Sequence, residues 1–265
     1  MKKNIIINAL AITGLLTLTF SCVKEPASNQ GGDPLPNPPS SASFVEEFDN
    51  VGNLVDKGWL FLNNSTPVGN SGWRQGRYEA NTMAQYKFLG PVPFVGFPAK
   101  SANQSPNDFV SADATVVGGD GHINAWLISP VVPIKNGDQL VFWTRAVDDS
   151  YYPVYTKDRM QVRANYASGT VSIADTGVGH FSNLLLDINP NYIYNDASGN
   201  TPTLPGYPRQ WTKYTITFSN IPGGSINAAR FGFRYVGKDA GLQGGSAGSN
   251  YPTVVGIDSL AFIRN

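Results

Sequence analysis

Asp148, Asp149 and Asp158 bracket residues 150–157, and carboxylates spaced this closely can serve sugar hydrolysis. Retaining glycosidases hold two carboxyls roughly 5–5.5 Å apart and inverting ones somewhat further. A glycan-active hydrolase would therefore rest on acids such as Asp148 and Asp158. Nothing in the pattern draws them into a cleft, so solvated loop acids or a cation site is the plainer expectation. Gly244-Gly245-Ser246-Ala247-Gly248 spells G-x-S-x-G, the nucleophile elbow of many hydrolases. That motif needs a strand before it, a helix after it, and a later acid and histidine. Here the surroundings are glycine-rich and no histidine follows His180, so the segment reads as a loop. His122 and His180 are the only histidines, which leaves no histidine-rich metal site. His122 lies in the turn-like run Gly118-Gly119-Asp120-Gly121, and both histidines are expected in loops.

Tyrosines are the better functional lead. One group is Tyr151, Tyr152 and Tyr155; a second, Tyr192, Tyr194 and Tyr207, lies among Asn, Gly and Pro within residues 187–209. A connection of that length without periodicity is unusual and often functional. Exposed rings stack on sugar faces or anchor a protein partner. The same rings also pack long loops against their own scaffold.

Two further acids sit on apolar segments. Alternation puts Glu46 on one face with Phe44 and Phe48, and Asp258 on one face with Leu260 and Phe262. If those faces look inward, a cation between the carboxylates offsets their burial, and calcium suits oxygen ligands. Alternatively Glu46 pairs with an arginine. Val255, Ile257 and Ile263 are also apolar, so either face of the last segment fits a core.

The elements that must position these residues are strands. Met160, Val162 and Ala164 alternate with Arg159, Gln161 and Arg163. Thr212, Tyr214, Ile216 and Phe218 alternate with Trp211, Lys213, Thr215 and Thr217. Phe231, Phe233 and Tyr235 alternate with Arg230, Gly232 and Arg234. Each run has the period of a strand with one face on a core. Residues 139–147 and 125–129 are richer in apolar side chains and suit central strands. No convincing helical period appears. With 28 Gly, 19 Pro and 12% aromatics, the expected fold is all-β: one antiparallel two-sheet β-sandwich over residues 43–265.

Residues 1–21 read as a signal peptide, with Lys2 and Lys3 before an apolar run. Cys22 is the only cysteine and cannot form an internal disulfide. Leu18-Thr19-Phe20-Ser21-Cys22 resembles a loose bacterial lipobox, which implies acylation of Cys22. Two or more acyl chains anchor a protein stably where one does not. Residues 22–42 contain Gly31, Gly32, Pro34, Pro36, Pro38 and Pro39 and read as a tether. Lys24 and Glu25 loosely resemble the tag of surface-exposed Bacteroidetes lipoproteins, favouring the outer membrane and the cell surface. Without Lys2 and Lys3 the charge is 17 basic against 19 acidic, near −2. That balance disfavours nucleic acid as a partner.

Phe44, Glu46 and Phe48, then Gly58-Trp59, Gly72-Trp73, Asn124-Ala125-Trp126-Leu127-Ile128-Ser129-Pro130, Leu140-Val141-Phe142-Trp143 and Gly256-Ile257-Asp258-Ser259-Leu260 form a recognisable series. Together they resemble the choice-of-anchor J or cleaved-adhesin family of jelly-roll modules. The resemblance implies a galactose-binding-like sandwich and a structural calcium held by Glu46 and Asp258. Family members often carry two adjacent acids in the last strand, whereas Ser259 follows Asp258 here. The expected role is a lipid-anchored, non-catalytic envelope module, adhesin-like or carbohydrate-binding, with a glycan or surface protein as ligand. The membrane is met through the lipid only. The alternatives are a glycan-active hydrolase and a structural subunit of envelope assembly.

Overall fold

Alternating runs of this kind can bury their apolar halves only by pairing into sheets and stacking two sheets face to face. A computed structural model of the chain does this, describing residues 43–78, 96–100, 105–147, 157–167, 169–173, 177–193, 206–240 and 252–265. The strands are β1 (Phe44–Glu46), β2 (Leu60–Asn63), β3 (Thr66–Val68), β4 (Arg74–Gln75), β5 (Val110–Asp113), β6 (Val117–Ile128) and β7 (Val132–Lys135). They continue with β8 (Gln139–Ala146), β9 (Met160–Asn165), β10 (Asn183–Ile188), β11 (Thr212–Thr217), β12 (Ser225–Ala240) and β13 (Val254–Ile263). Among the described residues the helical turns are short 3₁₀ segments such as Val51–Leu54.

One sheet runs β11-β8-β13-β5-β4, with β1 also on β13. The other runs β10-β9-β12-β6-β2, with β3 on β6 and β7 on β12. Every pairing is antiparallel. The first strand lies beside the last, Phe44 opposite Phe262, as a jelly roll requires. The fold is an all-β, two-sheet antiparallel sandwich.

The core is built from the halves that alternation assigned to it. Phe231, Phe233 and Tyr235 of β12 and Met160, Val162 and Ala164 of β9 are fully buried. They face Leu140 and Phe142 of β8, Val255 and Ile257 of β13, and Ile216 of β11 in a single apolar cluster. Phe142 meets Phe233 edge-on with ring centroids 5.0 Å apart, a direct contact between the sheets. Burying a ring or branched chain of this size contributes about 1.5–3 kcal/mol.

The ambiguity of the last strand is resolved by a bulge. Val255 and Ile257 point inward, but Ser259 takes φ +47° and the register against β8 shifts between Asp258 and Ala261. Inward parity then passes to Leu260 and Phe262. An inserted residue of this kind exchanges the two faces of everything beyond it.

Candidate functional site

The bulge separates the two acids expected to share a cation. Glu46 lies opposite Leu260 and so faces the core side. Its Oε2 accepts from Lys57 Nζ at 2.8 Å and its Oε1 from the Phe48 N–H at 3.2 Å. Asp258 lies opposite Trp143, on the outer face of the sheet, and is fully buried there. Its Oδ2 accepts from the Lys100 N–H at 2.7 Å and its Oδ1 from the Ser259 N–H. Asp258 therefore does not share a face with Leu260 and Phe262. The acid that reaches the bulge is Glu47, which accepts from Ser259 Oγ at 2.8 Å. No group of three or more His, Cys, Asp or Glu arranged for a metal occurs among the described residues.

Asp258 instead fastens residues 96–100 across the outer face of β13 and β8. Phe97 stacks on Phe109 with centroids 5.2 Å apart, and Trp211 donates its indole N–H to the Pro98 carbonyl at 3.0 Å. Lys100 Nζ stands 4.6 Å from the Trp143 ring and the Arg145 guanidinium 4.4 Å from Phe97. This face is covered by the chain itself.

Among the described residues, the outer face of the other sheet is covered in part. Trp126 and Ile128 of β6 and Leu60 of β2 pack under Phe181, with Val171, Ile173 and Val178 beside it. Beside this cover lies a depression of about 420 Å³. It is walled by His122 and Asn124 of β6, Gln161 of β9, Arg234 and Lys238 of β12, and Arg159 and Tyr192 beside them. Register explains the gathering: Gln161 lies opposite Arg234 across β9 and β12, and Arg234 lies opposite Trp126 across β12 and β6.

The polar groups are held in a network. Arg159 grips Asp187 with both forks, Nε to Oδ1 at 2.9 Å and a terminal nitrogen to Oδ2 at 2.6 Å. This pairing raises the Arg159 pKa despite its partial burial. Gln161 Nε2 also donates to Asp187, at 2.9 Å, and Arg163 Nε donates to Gln161 Oε1 at 2.8 Å. Arg234, 9% exposed, donates through Nε to Asn124 Oδ1 at 2.7 Å and through a terminal nitrogen to Gln161 Oε1 at 3.2 Å. Its guanidinium lies 5.6 Å from the Trp126 ring. Burial pushes the Arg234 pKa down to about 10, and the neighbouring charges of Arg163 and Arg159 push the same way. Arg159 also lies 5.2 Å from the Tyr192 ring, and Tyr192 is set in a left-handed turn (φ +51°) that the Asn189 side chain braces.

The other sequence candidates lie elsewhere. Tyr207 is 2% exposed, its hydroxyl 2.6 Å from Thr144 Oγ1 and donating to Met160 Sδ, so it is a core residue rather than a ligand contact. Asp158 is buried too: it accepts from Tyr235 Oη at 2.7 Å, Thr253 N at 2.9 Å and Thr253 Oγ1 at 2.6 Å. This acid ties β12 to the start of β13 and faces no cleft. His122 belongs to the strand β6 rather than to a turn, and lines the depression. Cys22, Tyr151, Tyr152, Tyr155, Tyr194, Asp148, Asp149 and residues 244–248 fall outside the described residues. The arginines were missed, although alternation had already placed Arg159, Gln161, Arg163 and Arg234 opposite the core.

A two-sheet jelly roll with one partly open outer face is the class that these observations define. Neither a family model nor a curated protein sequence matches the chain. The K1 cleaved adhesin domain of Lys-gingipain from Porphyromonas gingivalis W83 is similar in structure, with 19% identity and a TM-score of 0.45. That match covers 85% of this chain and 99% of the domain. The K3 domain of the same protein is similar at 16% identity and a TM-score of 0.43, over 83% of this chain and 98% of that one. A third similar structure is TmCBM61 in complex with beta-1,4-galactotriose, at 10% identity and a TM-score of 0.31, over 89% and 100% of the two chains. Among the described residues no helix is long and apolar enough to cross a membrane.

Proposed function

We propose that the chain is a non-catalytic binding module of the cleaved-adhesin or choice-of-anchor J type, held at the bacterial outer membrane through acylated Cys22. Its ligand seat is the depression on the outer face of β9, β12 and β6. The observation that carries this reading is the depression itself. Its volume of about 420 Å³ lies in the range of ligand sites, roughly 300–1,000 Å³. Its polar lining groups are guanidiniums, side-chain amides, an imidazole and a phenol ring, set beside the apolar Ile123 and Val236. Such groups donate to and accept from hydroxyls, which suits a sugar.

Of the two acids a hydrolase would use here, Asp148 lies outside the described residues. Asp158 is engaged in the core, and Asp187 is engaged by Arg159 and Gln161. A glycan array probed with the full chain tests the reading. Retention of a glycan that Tyr192→Ala weakens supports it, and retention of none overturns it. Mass spectrometry of the protein from its native host tests the anchor: a diacyl or triacyl Cys22 is expected, and a free thiol contradicts it.

A further inference from the structure

We infer that Tyr192 is the platform on which one pyranose ring of the ligand stacks, and that Asn189 is the positioning residue that sets it. This deepens the binding reading and rests on it. Tyr192 follows β10 and lies outside any strand, yet its backbone is left-handed (φ +51°). A bulky residue rarely takes that conformation, because its Cβ crowds the following carbonyl oxygen. Glycine would make the same turn without strain. The chain thus keeps an aromatic ring here against its local preference, and that half-buried ring lines the depression.

Asn189, 5% exposed, commits its side-chain amide to this turn. Its Nδ2 donates to the Asp158 and Ile193 carbonyls, each at 2.9 Å, and its Oδ1 accepts from the Ile193 N–H at 2.7 Å. Its own carbonyl accepts from the Tyr192 N–H at 3.1 Å. The Asp158–Arg159 peptide that receives Asn189 also carries Arg159, whose guanidinium stands over the Tyr192 ring at 5.2 Å. Asp187 holds that guanidinium through both carboxylate oxygens. One face of the ring is therefore backed by a fixed cation, whereas its hydroxyl is loosely engaged, 3.5 Å from an Arg159 nitrogen. A ring immobilised in this way loses little freedom when a sugar lies on it, which favours contact through the ring over contact through the hydroxyl. The ligand class is a pyranoside that presents an apolar C–H face. Gln161 and His122, in the same wall, meet its hydroxyls.

The test is an array of galactan, glucan, mannan and galacturonan oligosaccharides titrated with the full chain. The wild type, Tyr192→Phe, Tyr192→Gly, Asn189→Gly and the double glycine variant are compared, and each is melted. Glycine keeps the left-handed backbone at both positions. Tyr192→Phe should bind within about threefold of the wild type, and Tyr192→Gly at least about tenfold more weakly. Tyr192→Gly should nevertheless melt within about 4 °C of the wild type, because relief of strain offsets the lost cation–π contact. Asn189→Gly should weaken binding about threefold to tenfold alone and add nothing in the Tyr192→Gly chain, as a residue acting through that ring must. Tyr192→Gly binding as tightly as the wild type, or Tyr192→Phe losing as much as Tyr192→Gly, overturns the platform and leaves the binding reading standing. A Tyr192→Gly melt more than about 8 °C below the wild type marks the ring as structural and overturns it too. Additive losses in the double variant overturn the role of Asn189. If the array retains no oligosaccharide, the inference and the binding reading fall together.

Discussion

Arg234 is a cation kept largely out of water beside Arg159 and Arg163. Its two named acceptors would survive its loss: Asn124 Oδ1 keeps the Trp126 indole, and Gln161 Oε1 keeps Arg163. Arg234→Met should therefore leave stability within about 1 kcal/mol of the wild type, the lost cation–π contact included. Urea denaturation reads this; a loss above about 2 kcal/mol would mark Arg234 as structural. Asp158 is the opposite case, a buried acid on which the fold depends. Burial raises its pKa above the ordinary 3.8, while hydrogen bonds from Thr253 and Tyr235 pull the other way. The folded chain thus holds this proton more tightly than the unfolded chain. The contribution to stability is full below about pH 4 and fades as pH rises through the folded value. Asp158→Asn should flatten that fade as the pH rises above about 4. Asp158→Ala should cost about 1–3 kcal/mol for each buried donor left without its acceptor, at any pH. Identical pH slopes in wild type and Asp158→Asn would remove Asp158 from this account.

Among the elements, β13 shows what one residue can redirect. Ser259 turns the strand over, so that Asp258 leaves the core side and fastens residues 96–100 to the outer face. Gly256 makes that covering possible: a Cβ there would stand 2.7 Å from Phe97 Cε2 and 3.0 Å from Phe109 Cδ2. Gly256→Ala should cost about 1–3 kcal/mol and alter Trp211 fluorescence, because the aromatic cover must lift. Binding at the depression, on the other sheet, should not change; loss of binding would show that the two faces are coupled. Much of this was legible beforehand. The alternations at 159–164, 211–218 and 230–235 gave three strands and their inward halves. The bulge was not legible, since both parities of residues 254–263 are apolar and only backbone pairing decides between them. The site was half legible. Each strand displayed its outward arginines, but nothing local says that β9 lies against β12, and that adjacency makes a site of them. Tyr207 misled for a related reason: its loop composition suggested exposure, while its partners Thr144 and Met160 lie far away in sequence.

At the scale of the whole molecule, the two sheets have different outer faces. Among the described residues, that of β8 and β13 is closed by residues 96–100, and that of β9, β12 and β6 carries the depression. The most direct measurement is a nitrogen-15 shift map of the full chain with the oligosaccharide that the array retains most tightly. The account predicts the largest shifts at the side chains of Arg159 and Arg234, the Trp126 indole and the amides of Asn124 and Tyr192. Shifts concentrated instead at Lys100, Trp143 and Trp211 would put the ligand on the opposite sheet and contradict it.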